Sequence, residues 1–146
     1  MPTRGRTKLT DQTCFFVTTT ARDHSHYFSE DEKKRALLLI VRERCLVHGA
    51  KLHGYVIMSN HMHLLLSVPN CGPGLSAIMR DIKSLSSRKL YPGARGIWQH
   101  RFDDVAIYSD ANFRTKLNYI HQNPVKAGIV KIAEEYEYSS AAGWLG

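Results

Sequence analysis

His61 and His63 stand one residue apart in the run YVIMSNHMHLLL, residues 55–66. In an extended chain, side chains two apart leave the same face, so both imidazoles point one way while Met62, Leu64 and Leu66 point the other. Imidazole nitrogen is among the commonest ligands of divalent metals, and two rings on one strand face form half of a site. The pair cannot close that site alone. A phenol is the second group able to do chemistry: Tyr119 falls off the apolar stripe of its helix and groups with Asn112, Lys116 and Asn123, each three or four residues from the next. With a pKa of about 10, a phenol is a modest nucleophile until a base or nearby cation favours its ionised form.

A third feature is positive charge. Between residues 80 and 101 stand Arg80, Lys83, Arg88, Lys89, Arg95 and Arg101, with Asp81 as the only acid, and Tyr91, Trp98 and His100 lie among them. Cations mixed with flat rings suit a phosphate backbone carrying unstacked bases. Arg80, Lys83, Arg88, Arg95, Trp98 and Arg101 are therefore expected to contact nucleic acid, together with Arg4 and Arg6 of a basic arm over residues 1–12. Taken together, the groups point to phosphoryl transfer from a nucleic-acid strand to a protein hydroxyl. Attack by Tyr119 would preserve the phosphodiester for later rejoining. No nucleotide fuel is then required, in keeping with the lack of a GxxxxGK[ST] loop.

These residues need a scaffold. Cys14–Thr20 reads as a first strand from its β-branched and aromatic content. Ser29 and Glu32 have the form of a capping box, which places a helix at about Asp31–His48, closed by His48 and Gly49. Leu52–Met58 and His61–Val68 flank the turn residues Ser59 and Asn60, a hairpin. After a Pro- and Gly-rich loop at 69–74, Leu75, Ile78, Met79, Ile82 and Leu85 mark one stripe of a second helix, with Arg80, Ser84 and Arg88 opposite. Phe102–Tyr108 reads as a fourth strand. Ser109 or Asp110 can cap a third helix, whose stripe is Phe113, Leu117 and Ile120. Pro124 disfavours helical geometry at Asn123, so this helix is expected to end near there. The tail from Tyr136 is expected to pack on the body.

The 146 residues fit one domain over 1–146, and 43% hydrophobic with 23% charged residues argues against disorder or coiled coil. A formal charge of +7 and a pI of about 9.5 favour a polyanionic partner. Three cysteines without CxxC spacing point away from a disulfide framework or zinc ribbon and toward a reducing cytoplasm. No apolar run approaches the roughly 18 residues of a membrane span, and no signal-type core follows the N-terminus.

In order, LHGYVIMSNHMHLLL, LSAIMRDIKSL, WQHRF and LNYIHQNPVKAGIV resemble the HUH single-strand transposases, particularly the REP-associated tyrosine transposase branch, from about residue 13 to the end. The resemblance implies an α+β fold with a ferredoxin-like βαββαβ core and antiparallel sheet, followed by a helix carrying the tyrosine. It implies that His61 and His63 bind Mg2+ or Mn2+ and that Tyr119 is the nucleophile. It further implies a 5′-phosphotyrosine product with a free 3′-hydroxyl, and hairpin DNA with flanking single strand as substrate. Two positions depart from the pattern. Ser59 stands where similar proteins usually carry proline, which should loosen the turn. Asn123 stands where the insertion-sequence relatives carry a glutamine that completes the metal shell; Asn123 is the candidate third ligand, with Gln122 or His121 as substitutes. The REP-associated branch implies a monomer rather than a homodimer.

Two other readings compete. A domesticated binding module would hold structured DNA or RNA without cutting it. A zinc hydrolase would use His61 and His63 with water as the attacking group, although no third His or Cys stands at usual ligand spacing.

Overall fold

The computed structural model describes residues 11–143. Four strands, β1 (Gln12–Thr20), β2 (Lys51–Ile57), β3 (His61–Pro69) and β4 (Asp103–Ile107), form an antiparallel sheet in the order β2-β3-β1-β4. Helices α1 (Asp31–Val47) and α2 (Leu75–Leu90) make the two crossovers, and α3 (Asp110–Lys126) follows β4. This is the expected βαββαβ order with the tyrosine helix appended.

Strand alternation splits β3 between two environments. Met62, Leu64 and Leu66 are fully buried and join Val17, Val41, Leu37, Ile78, Met79 and Ile82 in one core. Each such side chain contributes about 1.5–3 kcal/mol by leaving water. On the other face, α3 packs chiefly on β2 and β3. Gly54 makes that approach possible, since a Cβ there would lie 2.5 Å from Leu117 Cδ1.

Local chemistry differs from expectation at four places. The capping box of α1 does not form: Glu30 is the N-cap and no side chain caps it. The Ser29 hydroxyl accepts no amide of the helix start, and the Ser29 carbonyl instead accepts from Lys34 Nζ at 3.1 Å. Ser59 is not loose, because its hydroxyl pairs with His26 Nδ1 at 2.6 Å and its carbonyl accepts from Phe28 N at 2.8 Å. The third helix runs through Pro124 to Lys126 and stops at Gly128, φ +78°. Ile129 N donates to Pro124 O and Gly128 N to Val125 O, the paired closure of a Schellman motif. Glycine, not proline, is the stop. Finally, β2 carries a bulge: the register passes from Leu52 opposite Leu66 to Gly54 opposite Leu65, leaving His53 as the extra residue.

Ser109 caps α3, accepting from Asn112 N. The tail packs as expected: Tyr136 and Tyr138 are buried, Tyr136 donates to Ile57 O, and Tyr138 O accepts from Ile57 N.

Candidate active site

The hairpin turn closes with Met58 N donating to His61 O, which starts β3 at His61 and aims both histidines at the face beneath α3. Their ring centroids lie 4.9 Å apart. His63 sits opposite Thr18 on β1, and in the tautomer that leaves Nε2 free its Nδ1–H donates to Thr18 Oγ1 at 2.9 Å. His61 Nδ1 donates to Asn60 Oδ1 at 2.8 Å. An amide oxygen only accepts, so the proton is held on Nδ1 and the Nε2 lone pair stays available. Both rings are neutral at pH 7. Burial lowers the pKa of His61, while a hydrogen bond with the Asn123 side chain opposes part of the drop. Burial, then the charges of His61 and Lys116, take His63 down to about 4.

Tyr119 reaches the same place from α3. Its ring meets His63 edge-on at 5.3 Å and Phe16 at 5.9 Å, and Phe16 stacks on His63 at 5.4 Å. Lys116, one turn before Tyr119, places its ammonium 4.9 Å from the Phe16 ring centroid. Tyr119 remains 42% exposed, open enough for a polymer strand to reach it. His61, His63, Tyr119 and Asn123, separated by up to 62 positions in the sequence, thus converge within one chain. His121, weighed as a substitute ligand, is instead engaged with Ser140 Oγ at 2.8 Å.

Two neutral imidazoles and one amide are donors able to hold a divalent ion whose remaining positions are filled by waters or phosphate oxygens. Among the described residues no group of three or more His, Cys, Asp or Glu is placed to hold a metal ion.

The basic segment is more divided than its sequence shows. Arg80, Lys83 and Arg88 line a groove of about 940 Å³ between α2 and residues 92–102. Lys83 is spent on structure, donating to Gln99 O at 2.7 Å and His100 O at 3.0 Å. Trp98 is a core residue: it is 7% exposed, stacks on Phe28 at 5.0 Å and donates its indole N–H to Ser86 Oγ. That packing puts Phe28 against its ring, while Trp98 still contributes to the groove lining. Arg95 and Arg101 are exposed and lie outside the groove lining. Arg4 and Arg6 fall outside the described residues. Sequence reading missed Thr18 and Phe16, because strand register brings them to His63 and no local spacing does, and it took Asn60, the neighbour of His61, for a turn residue alone.

An antiparallel βαββαβ sheet with a His-x-His pair facing a helix-borne tyrosine defines the HUH class of single-strand transposases. The family description "Transposase IS200 like" matches residues 10–123, and the chain belongs to that family. It is 29% identical over 107 residues to the REP-associated tyrosine transposase of Escherichia coli (strain K12), covering 73% of this chain and 61% of the relative. A provisionally named counterpart in Haemophilus influenzae (strain ATCC 51907 / DSM 11121 / KW20 / Rd) is 31% identical over 96 residues, 58% of this chain and 54% of the relative. The chain therefore spans less than two thirds of the length of these curated relatives. In fold it is similar to a REP-associated tyrosine transposase bound to a REP hairpin, with TM-score 0.79, 24% identity, and coverage of 93% of this chain and 87% of that one.

Proposed function

We propose that this chain nicks and transfers single-stranded DNA through a covalent phosphotyrosine, acting on DNA that carries a hairpin. The observation that supports it is the contact of Tyr119 with His63 beside His61 inside one chain. Because one chain supplies all three groups, a monomer suffices. Transposases of this family are in general divalent-metal dependent, and His61, His63 and Asn123 are the residues that would hold Mg2+ or Mn2+. A bound divalent ion would polarise the scissile phosphate and offset charge on the leaving oxygen.

The protein's own share is positioning and attack. The Tyr119 oxygen forms a bond to phosphorus as the bond from phosphorus to the 3′ oxygen breaks. The phenolic proton passes to solvent, and the departing 3′ oxygen gains one. One strand is left as a 5′-phosphotyrosine and the other with a free 3′-hydroxyl, and reversal with a new 3′ end completes transfer. Lys116 places positive charge beside the ring stack from the same helix. The exposed face of Tyr119 admits the strand while His63 stays buried.

Three free cysteines support a reducing cytoplasm as the setting. Among the described residues no helix is long and apolar enough to cross a membrane. The test is incubation with end-labelled hairpin DNA and Mn2+, followed by denaturing electrophoresis. The parent chain should give a shifted, denaturant-resistant adduct and Tyr119→Phe none. An equal adduct from Tyr119→Phe would remove Tyr119 as the nucleophile.

A further inference from the structure

The groove between α2 and residues 92–102 lies apart from the histidine site but is tied to it. Arg22 N donates to Ile97 O and Gln99 N to Thr20 O, so the segment forming the groove wall is hydrogen-bonded to the end of β1, where Thr20 pairs with His61. The wall is held in place from the other side by Lys83, whose ammonium takes the carbonyls of Gln99 and His100. It is a built concavity. Its volume of about 940 Å³ is in the range of sites that enclose a small molecule.

Its lining is complementary to a nucleotide. Arg80 and Arg88 are exposed at its rim, Ser76 and Ser84 add hydroxyls beside them, and no acid lines it. Three rings line it, those of Trp98, His100 and Phe102, and Phe102 is the apolar one left open to a ligand. It is half-buried, with Lys83 Nζ 6.0 Å from its centroid, whereas Trp98 is locked between Phe28 and Ser86. A flat apolar ring in one groove with two guanidinium groups matches the two halves of an unpaired nucleotide, a base with a π-face and a phosphate with a charge.

We propose that this groove takes an unpaired nucleotide of the DNA strand that Tyr119 attacks, with its base on Phe102 and its flanking phosphates on Arg80 and Arg88. The assignment of the polymer to DNA rests on the function proposed above. Through the hydrogen bonds from residues 97–99 to β1, the groove holds the strand in register with the histidine pair, so it helps to select the position of the cut.

The test uses the full chain carrying Tyr119→Phe, with EDTA present, so that neither cutting nor metal contributes. Fluorescence anisotropy with a labelled single-stranded oligodeoxythymidylate reads the dissociation constant and its salt dependence. Phe102→Ala should weaken binding about five- to hundredfold, the effect of losing one base stacked on a ring. Phe102→Tyr should restore it. Arg80→Ala with Arg88→Ala should flatten the slope of log K against log salt by about 1.4, from about 0.7 per single-strand phosphate. Ser84→Trp, an exposed position in the lining, should block the groove without touching the core. An oligonucleotide of abasic sugars should bind the Phe102→Ala chain and its parent alike.

Equal binding by Phe102→Ala and its parent, in protein whose thermal melt is unchanged, would overturn the proposal. So would an abasic strand bound as tightly as the thymidylate, since no base would then be held. The two readings fail separately. A parent chain that never forms the covalent adduct leaves this binding measurement intact, and groove variants with normal affinity in a chain that still cuts would sink the groove alone.

Discussion

The two faces of strand β3 differ more than any two parts of the sheet. Met62, Leu64 and Leu66 lie in a sealed apolar core, while His61 and His63, interleaved with them, meet Thr18, Phe16, Asn123 and Tyr119 under α3. Period-two geometry lets one nine-residue strand supply both stability and chemistry. The sealed face resists any change of volume. The other lies under α3, which leaves Tyr119 at 42% exposure.

The largest expected effect falls on the sealed face. Leu64→Ala should lower unfolding free energy by about 2–5 kcal/mol in urea titration, while the fraction that stays folded forms the covalent adduct at the parent rate. Loss of adduct in fully folded Leu64→Ala protein would show that the two faces are not separable.

Next is the pH response of the histidine face. Folding holds the pKa of His63 at about 4 against 6.5 in an open chain, so between those values the folded chain binds fewer protons. This contribution is fully present above pH 6.5 and is lost as pH falls toward 4, amounting to about 3 kcal/mol. His61, His53 and His121 are shifted downward too and act in the same direction. Urea unfolding of metal-free protein at pH 7 and pH 4 reads the loss, and His63→Asn should reduce it. An unchanged pH slope in His63→Asn would mean that other groups carry it.

Thr18→Val removes the hydroxyl that orients His63 and nearly preserves its shape. Mn2+ affinity by calorimetry should fall about ten- to hundredfold, the usual cost of losing a partner behind a metal-binding histidine. The smallest effect is expected at Gly54. Gly54→Ala would push against Leu117 Cδ1, the end of a flexible side chain, and should cost about 1 kcal/mol of stability as α3 adjusts. If adduct formation drops while stability does not, the spacing of α3 from the sheet governs the site directly.

Much of this arrangement was readable in the chain, for physical reasons that differ from residue to residue. The hairpin, the shared direction of His61 and His63, and the polar-face position of Tyr119 follow from short-range periodicity alone. The Ser109 cap was equally local. Thr18 was not readable, because only the pairing of β1 with β3 sets it opposite His63. The burial of Trp98 was not readable for a similar reason: indole suits both a core and a base, and the contacts with Phe28 and Ser86 depend on the fold. The end of α3 was assigned to Pro124 when the signal lay in Gly128, whose left-handed backbone completes the closure that proline cannot. At residue 53 the extra bulge position left no pattern in a strand that otherwise alternates.

The segment from Tyr136 to Ser140 does more than fill space. Ser139 bridges to Val56 along the outer margin of β2, and the Ser140 hydroxyl joins Tyr55 of that strand to His121 of α3. A proteolytic clip after Glu135 would therefore bare a rim of unpaired peptide groups, inviting self-association. At the same stroke it would cut the mooring line of the helix that carries Tyr119.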